Sequence, residues 1–563
     1  MRPRTPGRHR QAAVLAALVI AAALLAGLAP SAGATAGFVP ISGSGSTWSS
    51  NAQDQWRRNV ASLYGMTVNF SPNGSTSGRN DFRTGQVDYA VSEIPFGLSD
   101  GGVLDPNPTR AFGYMPIVAG GTSFMYNLHI GGKRVTNLRL SGLTLTKIFT
   151  QVITNWSDPA IQADNPGLTL PARKIVPVVY SNGSGTAAQF TAWMANQYPA
   201  LWDDYCHRNG KNLTPCGFTS FYPIGPGMEA KAQSQGVAGF VAQDTSEGAI
   251  TFVEYSYARN AGFPVAKLLN KAGYFVEPTA GSVAVALLQA TINPDLTANL
   301  TKVYVDRDPR TYPMSSYSYM ILPKDTTSGF NTNKGATLST FAAYFLCEGQ
   351  QQADTLGYSP LPINLVQDGV DQINQIPVPD GYKRPLDRNN LAHCNNPSVS
   401  PDGKNLVAEN APQPSPCDKL GAPTQCTVGT AGAKADTPIS ASSPAGKSAA
   451  AAGNTAGGSS NTTGGANGGT SDTTSASGGT PGDGTIAGGD PAGTIDPNTG
   501  QLIGGSSTGG SSSDVAAVPV SVDAADNRRQ MVLAIFAAVL LLGLVLGPPL
   551  VARTMHSREG PPT

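Results

Sequence analysis

Lys174-Ile-Val-Pro-Val-Val-Tyr-Ser-Asn-Gly-Ser-Gly-Thr-Ala-Ala-Gln-Phe-Thr-Ala-Trp-Met194 sets a β-rich run directly against a helical one. The first seven residues carry the β-branched and aromatic side chains of a strand. From Ala187 the pattern changes, and Phe190, Trp193 and Met194 fall on one face of a helix. Short β-rich runs and helical patterns keep alternating from Phe38 to about Pro397, which predicts α/β layers. A stretch of that length exceeds what one core ordinarily holds, so two lobes are expected.

Beyond this stretch the composition changes. The 563 residues balance 37 Lys+Arg against 37 Asp+Glu, with pI near 6.9. That argues against a nucleic-acid partner and against electrostatic attachment to lipid. Arg2, Arg4, Arg8 and Arg10 precede an apolar run from Ala12 to Ala29, and Ala34-Thr35-Ala36 resembles a cleavage site. Residues 1–36 therefore read as a secretory signal, with an uncleaved anchor helix as the alternative. Residues 427–527 are Gly, Ser, Thr, Ala, Asp and Pro with almost no aromatics. Burial there cannot offset the entropy of ordering, so a disordered linker is expected, with a root-mean-square span of roughly 50–60 Å. Met531 to Val551 carry no charge, Arg528 and Arg529 precede them, and Arg553, His556 and Arg558 follow. Residues 528–553 read as one transmembrane helix, with 554–563 as a cytoplasmic tail. A sortase signal is the alternative, but its Leu-Pro-x-Thr-Gly motif is missing. The expected protein is exported and tethered on the extracellular face of the plasma membrane.

Cys206, Cys216, Cys347, Cys394, Cys417 and Cys426 all fall in the part read as exported. Disulfides are expected, although six cysteines allow 15 pairings. Proximity favours Cys206–Cys216 and Cys417–Cys426, which leaves Cys347–Cys394. A zinc site is the rival reading, but no CxxC spacing supports it. No metal or cofactor is expected.

Three small-residue loops carry the chemistry. They are Gly43-Ser-Gly-Ser-Thr47, Asn73-Gly-Ser-Thr-Ser-Gly78 and Asn182-Gly-Ser-Gly-Thr186. Each opens onto a helical pattern. Unpaired backbone N–H groups and the helix dipole favour an anion there, and glycine permits close approach. Ordinary helix capping is the plainer alternative. No Lys follows the glycines, so none is a nucleotide phosphate loop.

These loops resemble those of the phosphate-binding proteins of ABC transporters, the PstS family. The resemblance covers roughly Ile41 to Leu365. It includes Gly43-Ser-Gly-Ser-Thr-Trp48, Phe82-Arg-Thr-Gly-Gln-Val-Asp-Tyr-Ala-Val-Ser-Glu93 and Leu143-Thr-Leu-Thr-Lys-Ile-Phe149. It continues through Ile153-Thr-Asn-Trp-Ser-Asp-Pro-Ala160, Gly183-Ser-Gly-Thr186, Gly248-Ala-Ile-Thr-Phe-Val-Glu-Tyr255 and Leu356-Gly-Tyr-Ser-Pro-Leu-Pro362. It implies a bilobed α/β fold of the periplasmic-binding-protein type (type II) over residues 37–426. One lobe would span about 38–125 and 285–395 and the other about 126–284, with a hinge between them. It also implies ligand contacts from Thr47, Trp48, Ser75, Ser184, Gly185 and Thr186, with phosphate or a related anion as ligand and an ABC permease as partner.

Three positions depart from what the resemblance implies. Glu93 replaces the family's usual aspartate, Tyr180 an arginine, and Asn182 an aspartate beside the third loop. Arginine would grip an oxyanion with two charge-assisted bonds, whereas tyrosine offers one neutral donor. Such a bond is worth about 1.5–3 kcal/mol. Arg79, four residues beyond Ser75, could reach back toward the cleft; the plain alternative is a surface arginine paired with Asp81 or solvent. The expected function is non-catalytic capture of phosphate or a related oxyanion, for transport or sensing. The alternative is a surface interaction protein with an altered or degenerate site. An enzyme finds little support: His129, His207 and His393 form no HExxH motif, and Ser184 lies outside a Gly-x-Ser-x-Gly pattern.

Overall fold

The computed structural model describes residues 37–391, 394–400, 402–431 and 433, with the backbone of 494–495 and 502–503. The predicted signal (1–36), the anchor (528–553) and tail, nearly all of the linker, and His393 lie outside the described residues. Among the described residues no helix is long and apolar enough to cross a membrane.

The elements that position the site are β1 (Ile41–Gly45), α1 (Ser50–Tyr64), β2 (Val68–Ser71), α2 (Ser75–Arg83), β3 (Tyr89–Ser92) and β4 (Phe112–Tyr126). There follow β5 (Val176–Tyr180), α3 (Gly185–Gln197), α4 (Pro199–Arg208), β6 (Glu229–Lys231), α5 (Gln233–Val241) and β7 (Ala249–Glu254). The last are α6 (Ala280–Leu287), β8 (Ser315–Pro323), α7 (Thr332–Leu346) and α8 (Ile363–Asn374). The fold is the expected bilobed α/β type, and one long strand joins the lobes. The sheet runs β6-β5-β7-β4-β8-β3-β1-β2. The first part of β4 pairs antiparallel with β8, from Phe112↔Pro323 to Gly121↔Ser315. Its last five residues pair antiparallel with β7, from Thr122↔Glu254 to Tyr126↔Ile250. Each lobe therefore owns a part of β4, and the backbone changes partner between Gly121 and Thr122.

Local chemistry explains why these residues do this. Every residue of β4 after Phe112 is buried, as a strand covered on both faces requires. Pro116 would cost a ladder bond in mid-strand, and the register slips beside it, where Ile117 is the extra residue of β4 opposite Ser318/Tyr319 of β8. Helix α1 buries Ala52, Trp56 and Val60 and ends at Gly65 with φ of 65°, whose N–H closes on Ala61. Helix α3 buries Phe190, Trp193 and Met194, and Phe190 packs on Phe124, Phe149 and Phe252. Fully burying each such ring contributes about 1.5–3 kcal/mol, far more than a surface helix gains from propensity.

The described residues contain three disulfides, Cys206–Cys216, Cys347–Cys394 and Cys417–Cys426. The last two hold a strap, Cys394 to Ala431, that crosses from one lobe to the other. On the first lobe Asn396 donates to Leu361 O at 2.8 Å. Midway, Arg310 donates to Ala408 O at 3.0 Å beside α6. On the second lobe Lys267 pairs with Asp418 at 2.7 Å and Gln425 donates to Asn137 O at 2.9 Å. Thr430, which composition assigns to the linker, is buried and accepts the Val265 N–H at 2.9 Å.

Candidate functional site

All three small-residue loops meet where the lobes face each other. The first ends β1, the second opens α2 and the third joins β5 to α3. Gly74, with φ of 103°, lies against the third loop: a Cβ there would stand 2.5 Å from Asn182 Nδ2 and 2.7 Å from Gly183 O. Contact across the lobes is direct elsewhere too. Thr47 Oγ1 lies 2.7 Å from Ser234 Oγ at the start of α5. Gly185 N–H donates to Ser75 Oγ at 3.1 Å, and Gln189 Nε2 donates to Glu93 O at 2.9 Å. Away from the loops, the Ser99–Leu104 hairpin latches onto the second lobe, where Asp100 accepts the Ser220 N–H at 2.7 Å and Gly101 donates to Phe218 O at 3.0 Å.

Glu93 lies at the centre. It is 1% exposed and receives three hydroxyls: Ser46 at 2.6 Å and Ser75 at 2.9 Å on Oε2, and Ser318 at 2.7 Å on Oε1. Burial pushes its carboxyl above the ordinary carboxylate range, and the three hydroxyl bonds pull it back only in part. Among the described residues no ion pair reaches Glu93. Between the lobes, Glu93 also borders a cavity of about 480 Å³ lined by Phe96, Gln189, Phe218, Tyr304 and Tyr319.

The other expected contacts are brought into the same region, several of them with their hydrogen-bonding capacity already used. The Trp48 N–H donates to Ser46 Oγ at 3.0 Å. Ser184 Oγ accepts the Ala187 N–H at 3.3 Å, which is the plainer capping role. Thr186 stands beside the Tyr180 hydroxyl. Tyr180 is buried, leans on the Phe252 ring and places its hydroxyl 3.1 Å from Ser234 Oγ; burial holds its phenol well above the usual value. Asn182 lies against Gly74 of the second loop, and its Oδ1 accepts the Gln233 N–H at 2.8 Å.

Arg79 corrects both expectations placed on it. It is neither a surface arginine nor a cation turned toward Ser75 and Ser184. It is 1% exposed, its Nε pairs with Asp105 at 2.6 Å and its Nη1 donates to Ser92 at 3.0 Å. Asp81 instead ties the first two loops together, accepting from Ser44 at 2.7 Å and Asn73 at 2.9 Å.

Sequence reasoning missed Ser46, Ser234 and Ser318 as partners of the site. Ser46 lies inside a quoted loop and was legible there. Ser318 stands between Tyr317 and Tyr319 in a strand that also holds Ser315 and Ser316, so nothing in the pattern singles it out.

A family described as a PBP superfamily domain matches residues 27–348. Phosphate-binding protein PstS of Xylella fastidiosa is 32% identical over 327 residues, which is 58% of this chain and 82% of that one. Phosphate-binding protein PstS 3 of Mycobacterium tuberculosis is 29% identical over 325 residues, 57% of this chain and 82% of that one. Among solved structures, the phosphate binding protein of Stenotrophomonas maltophilia aligns with a TM-score of 0.43 at 17% identity, covering 59% of this chain and 93% of that one.

Proposed function

The chain belongs to the PBP superfamily and, within it, to the PstS-like phosphate-binding proteins, and from that premise we propose that it captures phosphate or a related oxyanion without catalysis. The relatives are named as binding proteins, and the reading as a non-enzyme rests on that. The observation that carries the proposal is the meeting of three glycine-hydroxyl loops from two lobes around one buried carboxyl. Ligand contacts are assigned to Thr47, Trp48, Ser75, Glu93, Ser184, Gly185 and Thr186. Tethering through 528–553, extracellular exposure and delivery to an ABC permease or a sensor belong to the same proposal. Titrating inorganic phosphate into the purified full chain at neutral pH should release or absorb measurable heat; none up to millimolar phosphate would sink it.

A second reading, a surface interaction protein with an altered ligand site, is favoured by Tyr180 and Asn182, which remove the cation and its partner carboxylate. Tyr180→Arg with Asn182→Asp separates the two. Binding that arises only in the double variant identifies the natural site as degenerate for phosphate.

A further inference from the structure

We infer that Glu93 is a resident anion, standing at the focus of the converging donors and competing there with any incoming oxyanion, so that this one residue sets the affinity of the cleft. The inference rests on the capture reading. A serine hydroxyl has a single proton to give. Ser46, Ser75 and Ser318 all give theirs to the Glu93 carboxylate. The same three protons cannot serve a second anion while they are held there.

Its position also matches what an anion would take. Oε2 stands over the first residue of α3, so close that a Cβ on Gly185 would lie 2.0 Å from it. A 13-residue helix begins at that point, and its positive end favours negative charge. Reach makes this possible. An aspartate at the same place would stop about 1.5 Å short, one carbon–carbon bond. Among the described residues no cation offsets the charge, since Arg79 is held by Asp105. An arriving oxyanion therefore meets a like charge and a spent set of donors. It binds by turning Glu93 out, and the 480 Å³ cavity that Glu93 borders is where the displaced carboxylate regains water.

The test titrates inorganic phosphate, and separately sulfate, into the full chain and into Glu93→Asp, Glu93→Gln and Glu93→Ala by calorimetry. Phosphate should bind Glu93→Asp and Glu93→Ala at least tenfold more tightly than the unaltered chain. Glu93→Ala should also bind sulfate more tightly than the unaltered chain does, because the like charge and the competitor for the hydroxyl donors are both gone. Glu93→Gln keeps the side-chain volume and guards against a variant that fails to fold; it too should gain affinity for phosphate. If the unaltered chain binds phosphate while the folded variants bind it equally or more weakly, the resident-anion inference is overturned and capture stands. If neither the chain nor any folded variant binds phosphate at millimolar concentration, capture itself is overturned with it.

Discussion

Among single residues, buried carboxyls without cations set the character of this protein. Glu254, at the end of β7, is fully buried; its Oε2 accepts from the Ser256 backbone at 2.9 Å and from the Ser256 hydroxyl, while Oε1 has no partner. Burial pushes its carboxyl well above the ordinary range. The folded state thus holds a proton that the unfolded chain releases near the usual carboxylate value. Stability therefore falls as pH rises from about 4.5 through the raised folded value, by up to about 1.4 kcal/mol per pH unit. Glu254→Gln removes this slope: its melting temperature relative to the unaltered chain should climb between pH 5 and pH 8, and parallel curves would refute the assignment. The sequence announced neither Glu254 nor the spent state of Glu93. Both stand in stretches quoted for their resemblance, but whether a carboxylate finds a cation depends on Arg79, whose partner Asp105 lies 26 residues further along the chain. The chemistry of Tyr180, by contrast, was legible from its identity alone, since no packing turns a phenol into a guanidinium.

Among elements, the helices and loops were legible and the central strand was not. The one-sided pattern of Phe190, Trp193 and Met194 gave α3 its buried face, and the glycine-hydroxyl runs marked where strands hand over to helices. Strand β4 hid because Pro116, Gly120 and Gly121 each argue against mid-sheet placement. The bulge at Ile117 of β4 admits the proline, and close packing claims the glycines. A Cβ at Gly120 would meet Trp48 Cη2 at 2.7 Å, and one at Gly121 would meet Pro278 at 2.5 Å. Gly120→Ala should destabilise the fold by about 1–3 kcal/mol through overpacking and, by shifting Trp48, alter whatever affinity the first loop supports. Denaturant unfolding measures the first effect; a variant as stable as the parent would show that Trp48 has room to give.

At the scale of the whole molecule, the strap from Cys394 to Ala431 adds a further connection between the lobes that β4 spans. Its segment on the second lobe is clipped by Cys417–Cys426 and seated by Asp418, Gln425 and Thr430. A clip of this kind typically contributes about 2–4 kcal/mol by limiting the unfolded alternatives. Replacing both cysteines with serine should speed amide exchange in 136–140 and 265–269 and leave the start of α3 protected; unchanged exchange would mean the seat holds without the clip. The extent of the strap was poorly legible because its last residues share the Gly/Thr/Ala composition of the linker that follows. Its placement has a mechanical consequence. The chain runs on from Ala433 toward Thr563, so a pull applied from that end would reach the second lobe beside Val265 and Thr136. Such a pull would be taken up on the flank of one lobe, at residues outside the three loops.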